Sequence, residues 1–156
     1  MPATASIRIG EPDDAPSLYR LHTAAIRTVC ARHYSPDIID GWLLGRSPAG
    51  YLPPIRRQAI FVADSDHKII GFGEAAPGVV IAVYVDPRAM GNGIGRLLLM
   101  HGISVARHAH SGPIRVESTL NAAAFYAHHG FVEIERSAVR RNHVDVPIIV
   151  MEYPAG

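Results

Sequence analysis

Between Val85 and Leu99 the chain reads VDPRAMGNGIGRLLL, and Gly91, Gly93 and Gly95 fall on alternate positions. Glycine loses more conformational freedom on folding than any other residue, so a cluster is costly unless bare backbone is needed there. An apolar helical pattern starts directly behind it. A helix start presents up to four unpaired N–H groups and the positive end of the helix dipole. With glycines that admit close approach, this makes a seat for a phosphate or pyrophosphate, flanked by Arg88 and Arg96 as charges. A glycine-rich turn with no ligand has the same local pattern, and both readings stand on spacing alone. Two better-defined phosphate motifs do not fit. A Walker loop requires Lys followed by Ser or Thr after its last glycine, whereas the chain has Ile94-Gly95-Arg96. A dinucleotide fingerprint has a G-x-G-x-x-G period behind the first strand of a βαβ unit. Here the period differs and the loop follows the fourth predicted strand.

The other reactive residue types are scattered. His108-x-His110 and His128-His129 have no cysteine or carboxylate constellation beside them. They read as exposed helix-end residues, and no metal is expected. Cys30, the single cysteine, lies in an apolar-periodic segment and reads as a buried, inert thiol. It excludes an internal disulfide and suits a reducing compartment.

The elements that must hold the loop follow from periodicity. Residues 4–10 alternate weakly and predict a first strand. From Pro12 a helical stripe carries Leu18, Leu21, Ala25 and Val29, with Asp13 and Asp14 in its first turn. It breaks near His33, and Ser35-Pro36 restarts a helix as N-cap and first helical residue, carrying Ile38, Ile39 and Trp42. Residues 45–58 hold three prolines and predict an irregular connection with a short helix after Ser47. Residues 59–64 and 69–75 predict a hairpin about SDHK, and VVIAVYV, Val79 to Val85, a central strand. A helix is expected from Gly91 to about His110, a strand over IRVEST, and a short helix over NAAAFYAHH closed by Gly130. Two final strands join around Arg141-Asn142-His143. The expected fold is mixed α/β: about seven strands in a central, mostly antiparallel mixed sheet with helices on both faces.

Arg88-x-x-Gly91-x-Gly93, preceded by VYVDP and followed by an apolar helix, resembles the acyl-CoA-binding motif of the GCN5-related N-acetyltransferase (GNAT) family. STLNAAAFYAHHGF, Ser118 to Phe131, resembles that family's second signature: an Asn opening a short helix, a Phe-Tyr pair, and Gly-Phe before the next strand. The resemblance covers essentially the whole chain, including element order, and implies the acyl-CoA N-acyltransferase fold in one domain, residues 1–156.

Family membership would imply that acetyl-CoA is the co-substrate and that no metal takes part. Its pantetheine arm would pair with main chain of Val83, Tyr84 and Val85. Its pyrophosphate would sit on the N–H groups between Arg88 and Arg96, through Gly91, Asn92, Gly93, Ile94 and Gly95. Asn121 matches the family's polar contact to the cofactor. Tyr126 matches the tyrosine that protonates the departing thiolate, and a phenol suits that task. A main-chain N–H around Val83 to Val85 would stabilise the oxyanion. Phe125 reads as core packing. The acceptor amine must lose a proton, and Glu74 and Glu117 are the carboxylates that could take it, directly or through water. The acceptor site is expected at the first two helices and their following loop, where His33, Tyr34, Trp42 and Tyr51 lie. Tyr34 and Trp42 either line it or pack the helices on the sheet. Cys30 is expected far from the cleft. A non-catalytic acyl-CoA-binding or sensor module of the same fold is the alternative reading.

Composition narrows the partners. The 156 residues include 15 basic and 14 acidic ones, for a net charge of +1, which argues against a chain that binds nucleic acid by charge. A hydrophobic content of 48% is enough for a sizeable core. The N-terminal stretch has no apolar leader, and no apolar run reaches about 18 residues. A soluble, cytoplasmic protein without membrane contact is expected, acting on a small-molecule or peptide amine. The apolar strand VDVPIIVMEY leaves a homodimer open.

Overall fold

The computed structural model describes residues 4–156; Met1, Pro2 and Ala3, the head of the stretch read as lacking a leader, lie outside the described residues. Seven strands form one sheet: β1 (Ser6–Ile9), β2 (Ile60–Ser65), β3 (Lys68–Ala76), β4 (Val79–Val85), β5 (Ile114–Thr119), β6 (Val132–Arg141) and β7 (Val144–Tyr153). Their spatial order is β1-β2-β3-β4-β5-β7-β6. Every neighbouring pair is antiparallel except β4 and β5. The helices are α1 (Ala15–Thr28), α2 (Pro36–Leu43), α3 (Leu52–Arg56), α4 (Ile94–Arg107) and α5 (Ala123–His128).

Helices cover both faces. On one, α4 and α5 bury Leu98, Leu99, Ile103 and Tyr126 against Phe61, Val80, Val116 and Met151. On the other, Leu18, Leu21 and Ile55 from α1 and α3 meet Ile60, Val62 and Phe72, and Ile39 and Trp42 of α2 meet Val146. This explains why IFVA of β2 is an unbroken apolar run: all four residues are buried, alternately against opposite layers. Fully burying one such side chain contributes about 1.5–3 kcal/mol.

Local chemistry sets most helix ends. Ser35 caps α2 by accepting the Ile38 N–H at 3.3 Å, with Pro36 as first helical residue. The proline-rich connection is more ordered than expected, a 3₁₀ turn over Pro48–Tyr51 leading into α3. Its prolines sit in first turns, where the missing N–H is not required. The helix expected over residues 91–110 is shorter at both ends, because Gly91 and Gly93 have φ of +84° and +78° and Ala109 has φ +59°. Left-handed backbone cannot continue a right-handed helix.

Two irregularities interrupt the centre of the sheet. Glu74 pairs with Ala82 and Ala75 with Val80, so Ile81 is an extra residue in β4 and forms a bulge. Beyond it β4 and β5 part: they pair only at Val79–Arg115 and Val80–Val116, although both strands continue.

Tyr34 ties this region together. Its hydroxyl donates to the Pro147 carbonyl at 2.6 Å and accepts the Leu120 N–H at 2.9 Å. Its ring meets Trp42 edge-on at 5.5 Å. Tyr34→Phe leaves both backbone groups unsatisfied, and we expect a loss of about 2 kcal/mol, seen by circular dichroism as a melting temperature lower by about 4–8 °C. An unaltered melting temperature would contradict this anchoring role.

Candidate functional site

Where β4 leaves β5, a cavity of about 460 Å³ opens through the sheet and is reached by elements of both faces. Ala25, Val29 and Cys30 border it from α1 and the turn behind it, Val83, Tyr84 and Val85 from β4, and Asn121, Ala122 and Phe125 from the segment around α5. The edge of β4 past Val80 has no ladder partner on this side. Main-chain groups inside a protein are nearly always paired, so this edge is ready to accept an extended, hydrogen-bonding guest.

The glycine loop forms the mouth. Gly91, Gly93, Ile94, Gly95 and Arg96 all line the cavity. The N-cap of α4 is Gly93, which has no side chain to satisfy the first N–H groups. A Cβ at Gly91 or Gly93 would stand in open space, while one at Gly95 would meet the Phe125 ring at 3.3 Å. The first two glycines thus serve backbone conformation and access, and the third serves packing. Two residues expected here take other positions. Arg88 turns back on Asp86, with Nη2 to Oδ2 at 3.2 Å, and its side chain is 79% exposed. Burial pulls the Asp86 carboxyl upward, but the hydrogen bonds from Arg88 outweigh it and hold the carboxyl below its ordinary range. Asn92 is exposed, its amide donating to the Ala89 carbonyl at 3.4 Å.

Deeper in, Asn121 Oδ1 is buried without a hydrogen-bond partner. Cys30, expected far from the cleft, lines it; the turn after α1 carries it there. Burial pushes its thiol up to about 12, against a smaller opposing effect of an Asn121 hydrogen bond, so it is not a thiolate nucleophile. Tyr126, matched on sequence to the proton donor, lines neither cavity; it is buried behind the first in the cluster that contains Val80 and Val116, the last β4–β5 pair, with Phe125 and Phe131 edge-on at 5.3 and 5.4 Å. Burial raises the proton affinity of its phenol.

A second cavity, about 610 Å³, lies on the face covered by α1, α2 and α3 and shares Tyr84 and Thr119 with the first. Trp42, Tyr51, Glu74 and Glu117 line it. Tyr34 and His33 do not; the Tyr34 hydroxyl is committed to backbone, and His33 is exposed. Glu74 is half-buried, and burial raises its carboxyl above the ordinary range against the pull of Arg57. Glu117 is exposed, with Arg115 at 3.6 Å. His22, on the buried stripe of α1, takes a 2.7 Å hydrogen bond with the Tyr51 hydroxyl and a 3.1 Å one from Arg46 Nη1, both at Nδ1. Its ring lies tilted against Tyr84, with 4.2 Å between centroids. Burial first, and the Arg46 charge second, push its imidazole down to about 3.

Sequence reasoning missed several lining residues. Phe125, read as core, and His128 and His129, read as solvent-facing, border the first cavity. His22 carried a signal: a histidine four residues after Leu18, on the apolar stripe. Arg46 carried none, sitting in a loop whose course depends on distant packing. Among the described residues, no group of three or more His, Cys, Asp or Glu side chains is arranged to hold a metal ion. None of the described helices is long and apolar enough to cross a membrane.

Comparison with known proteins gives a consistent picture. A family model described as an acetyltransferase (GNAT) domain matches residues 56–133. A GCN5-related N-acetyltransferase structure from Rhodopseudomonas palustris superposes with a TM-score of 0.91 at 23% identity, covering 99% of this chain and 98% of that one. The PaiA N-acetyltransferase of Thermoplasma acidophilum, in complex with coenzyme A, gives 0.78 at 19% identity over 97% and 99%. YncA of Salmonella typhimurium, with its cofactor acetyl-CoA, gives 0.71 at 18% over 97% and 94%. No curated protein matches the sequence significantly.

The His22 environment has a measurable consequence. Its folded-state pKa lies far below the unfolded value near 6.5, so the unfolded chain binds the extra proton first as pH falls. Its contribution is intact above pH 6.5 and is lost progressively below it. Between pH 7.5 and pH 5 we expect about 2 kcal/mol to be lost on its account, read as a lower urea midpoint, with His22→Gln flattening that slope. By NMR, His22 should remain neutral at pH 5; an imidazole titrating near 6.5 would contradict its burial.

Proposed function

Because the chain belongs to the GNAT acetyltransferase family, we propose that it transfers the acetyl group of acetyl-CoA directly to a primary amine of a small molecule or peptide, in a ternary complex and as one domain. One observation carries the reading: the unpaired β4 edge, the uncapped start of α4, Arg96 and the orphaned Asn121 acceptor all meet in a single cavity. The residues fit coenzyme A. The β4 edge offers main-chain partners to the amides of the pantetheine arm, and Asn121 Oδ1 offers an acceptor. The N–H groups from Gly93 to Arg96, with the open space at Gly91 and Gly93, suit a pyrophosphate. When bound, acetyl-CoA supplies a thioester carbonyl open to attack and a thiolate as leaving group.

The chain's own groups then have defined tasks. A β4 N–H in the Val83–Val85 stretch donates to the carbonyl oxygen as charge gathers on it. Tyr126 holds the proton destined for the sulfur; burial keeps the phenol protonated until a thiolate forms to take it. Its place beside the last β4–β5 pair supports this role. Glu74 takes the proton that the acceptor ammonium must lose, directly or through water. Burial suits it to the task by raising its affinity for that proton. Glu117, exposed and near Arg115, is the second carboxylate within the same cavity.

Calorimetry with coenzyme A, followed by a thiol-release assay with acetyl-CoA over polyamines, aminoglycosides, amino acids and peptides, tests the reading. Tyr126→Phe should lower kcat by about 100-fold or more and change coenzyme A affinity by less than about threefold. Unchanged turnover with chemistry rate-limiting would remove Tyr126 from the mechanism. Absence of heat with every CoA thioester would sink the proposal. Tight binding without thiol release would favour a non-catalytic sensor module.

A further inference from the structure

We propose that the acceptor carries an anionic group, a carboxylate or comparable oxyanion, a few bonds from its amine, and that Arg46 binds it. The inference rests on the amine-acetylating function and names the class of acceptor for the second cavity.

Arg46 is a half-buried cation on the wall of that cavity. Arg8, Arg27, Arg88 and Arg140 each hold a carboxylate at 3.3 Å or less. Arg46, by contrast, has no carboxylate within 4.0 Å among the described residues, and its Nη1 points at His22 Nδ1, 3.1 Å away. A guanidinium cannot accept a hydrogen bond, so Nδ1 must offer its lone pair and the ring carries its proton on Nε2. The imidazole partner is therefore neutral and leaves the charge of Arg46 uncompensated. The Tyr51 hydroxyl, 2.7 Å from the same nitrogen, adds no charge. The same cavity is lined by the apolar Trp42, Phe72 and Val146 and by two further cations, Arg140 and Arg141, so its charge at this end is positive. A cation held this way by neutral partners is an anion-binding group.

The opposite sign lies close by. The His22 ring meets Phe72 edge-on and Tyr84 at a tilt, and these two residues pair across β3 and β4. Glu74 is the next residue on that face of β3, roughly 7 Å along the strand. An ammonium directed toward Glu74 and an anion directed toward Arg46 thus fit one small acceptor. A polyamine or an aminoglycoside would instead bring only positive charge against Arg46.

A purely structural Arg46 is the competing account, since its Nε also donates to the Trp42 carbonyl at 3.4 Å, at the end of α2. Matched acceptors separate the two. Small α- and β-amino acids are compared with their carboxamides, which keep the amine and lose the charge. At saturating acetyl-CoA the wild type should favour acids over amides by about 10- to 100-fold in kcat/KM. Arg46→Met should erase this preference through KM for the acids while changing rates with the amides by less than about threefold. Arg46→Lys should keep part of it, and coenzyme A calorimetry reports whether each variant is folded. A second readout needs no turnover: with coenzyme A bound, the acids should raise the melting temperature of the wild type but not of Arg46→Met, and the amides of neither. Acid-specific stabilisation without thiol release would uphold the anion site and overturn the acetyl-transfer reading. Amides used as well as acids by the wild type, or equal losses in both series on Arg46→Met, would overturn the proposal itself.

Discussion

Past Val80 the β4 backbone has ladder partners on the β3 side only. An unpaired main-chain group shut away from water costs about 1–3 kcal/mol, so a protein keeps such an edge only where water or a guest can reach it. The rest of the arrangement depends on that parting of strands. It opens a passage through the sheet, which lets the turn behind α1 on one face and α5 on the other border the same cavity. It also puts the end of β4 directly before the glycine loop, so the unpaired edge and the unpaired start of α4 are consecutive in the chain. Two stretches of free backbone result, joined by a short turn in which Asp86 and Ala89 are hydrogen-bonded within the protein.

Much of this was legible in the sequence because it is local. The β-branched run before Asp86, the alternate glycines and the apolar stripe behind them are properties of neighbouring residues, as are Ser35-Pro36 before α2 and Gly130 after α5. What could not be read depends on partners far away in the chain. Cys30 reaches the cavity because α1 crosses the sheet, which no spacing within α1 reveals. Phe125 reads as a core aromatic until Gly95 is brought against its ring. Arg88 is a different case: Asp86, two residues earlier, offered a nearer partner than any ligand, and the short Asp-Pro-Arg turn delivers it. Of the two carboxylates, alternation placed both on strands flanking β4, but only the fold made one half-buried and the other exposed.

The two cavities are separated by little more than Tyr84, whose ring is packed by His22 and Phe72 on one side and whose backbone lies on the free edge of β4. Burial holds its phenol protonated. The residue is thus a wall between two guests and contributes no charge to either. Thr119, at the end of β5, borders both spaces from the opposite strand.

The bulge at Ile81 makes the length of β4 as consequential as its composition. Val80 points toward α4, and so does Val83, three residues on, a spacing that regular alternation would send to opposite layers. Removing the codon for Ile81 would therefore restore simple alternation with Val83 still toward α4 and Tyr84 still against His22 and Phe72. Point changes along this strand adjust the two chambers by degrees, and loss of the bulged residue leaves their linings in place, whereas an insertion between Ala82 and Val85 turns the side chains on one side of it to the opposite layer. Evolution of new acceptors on this scaffold is for that reason expected to proceed by replacement within β4, with Ile81 a position where the loss of one residue is absorbed.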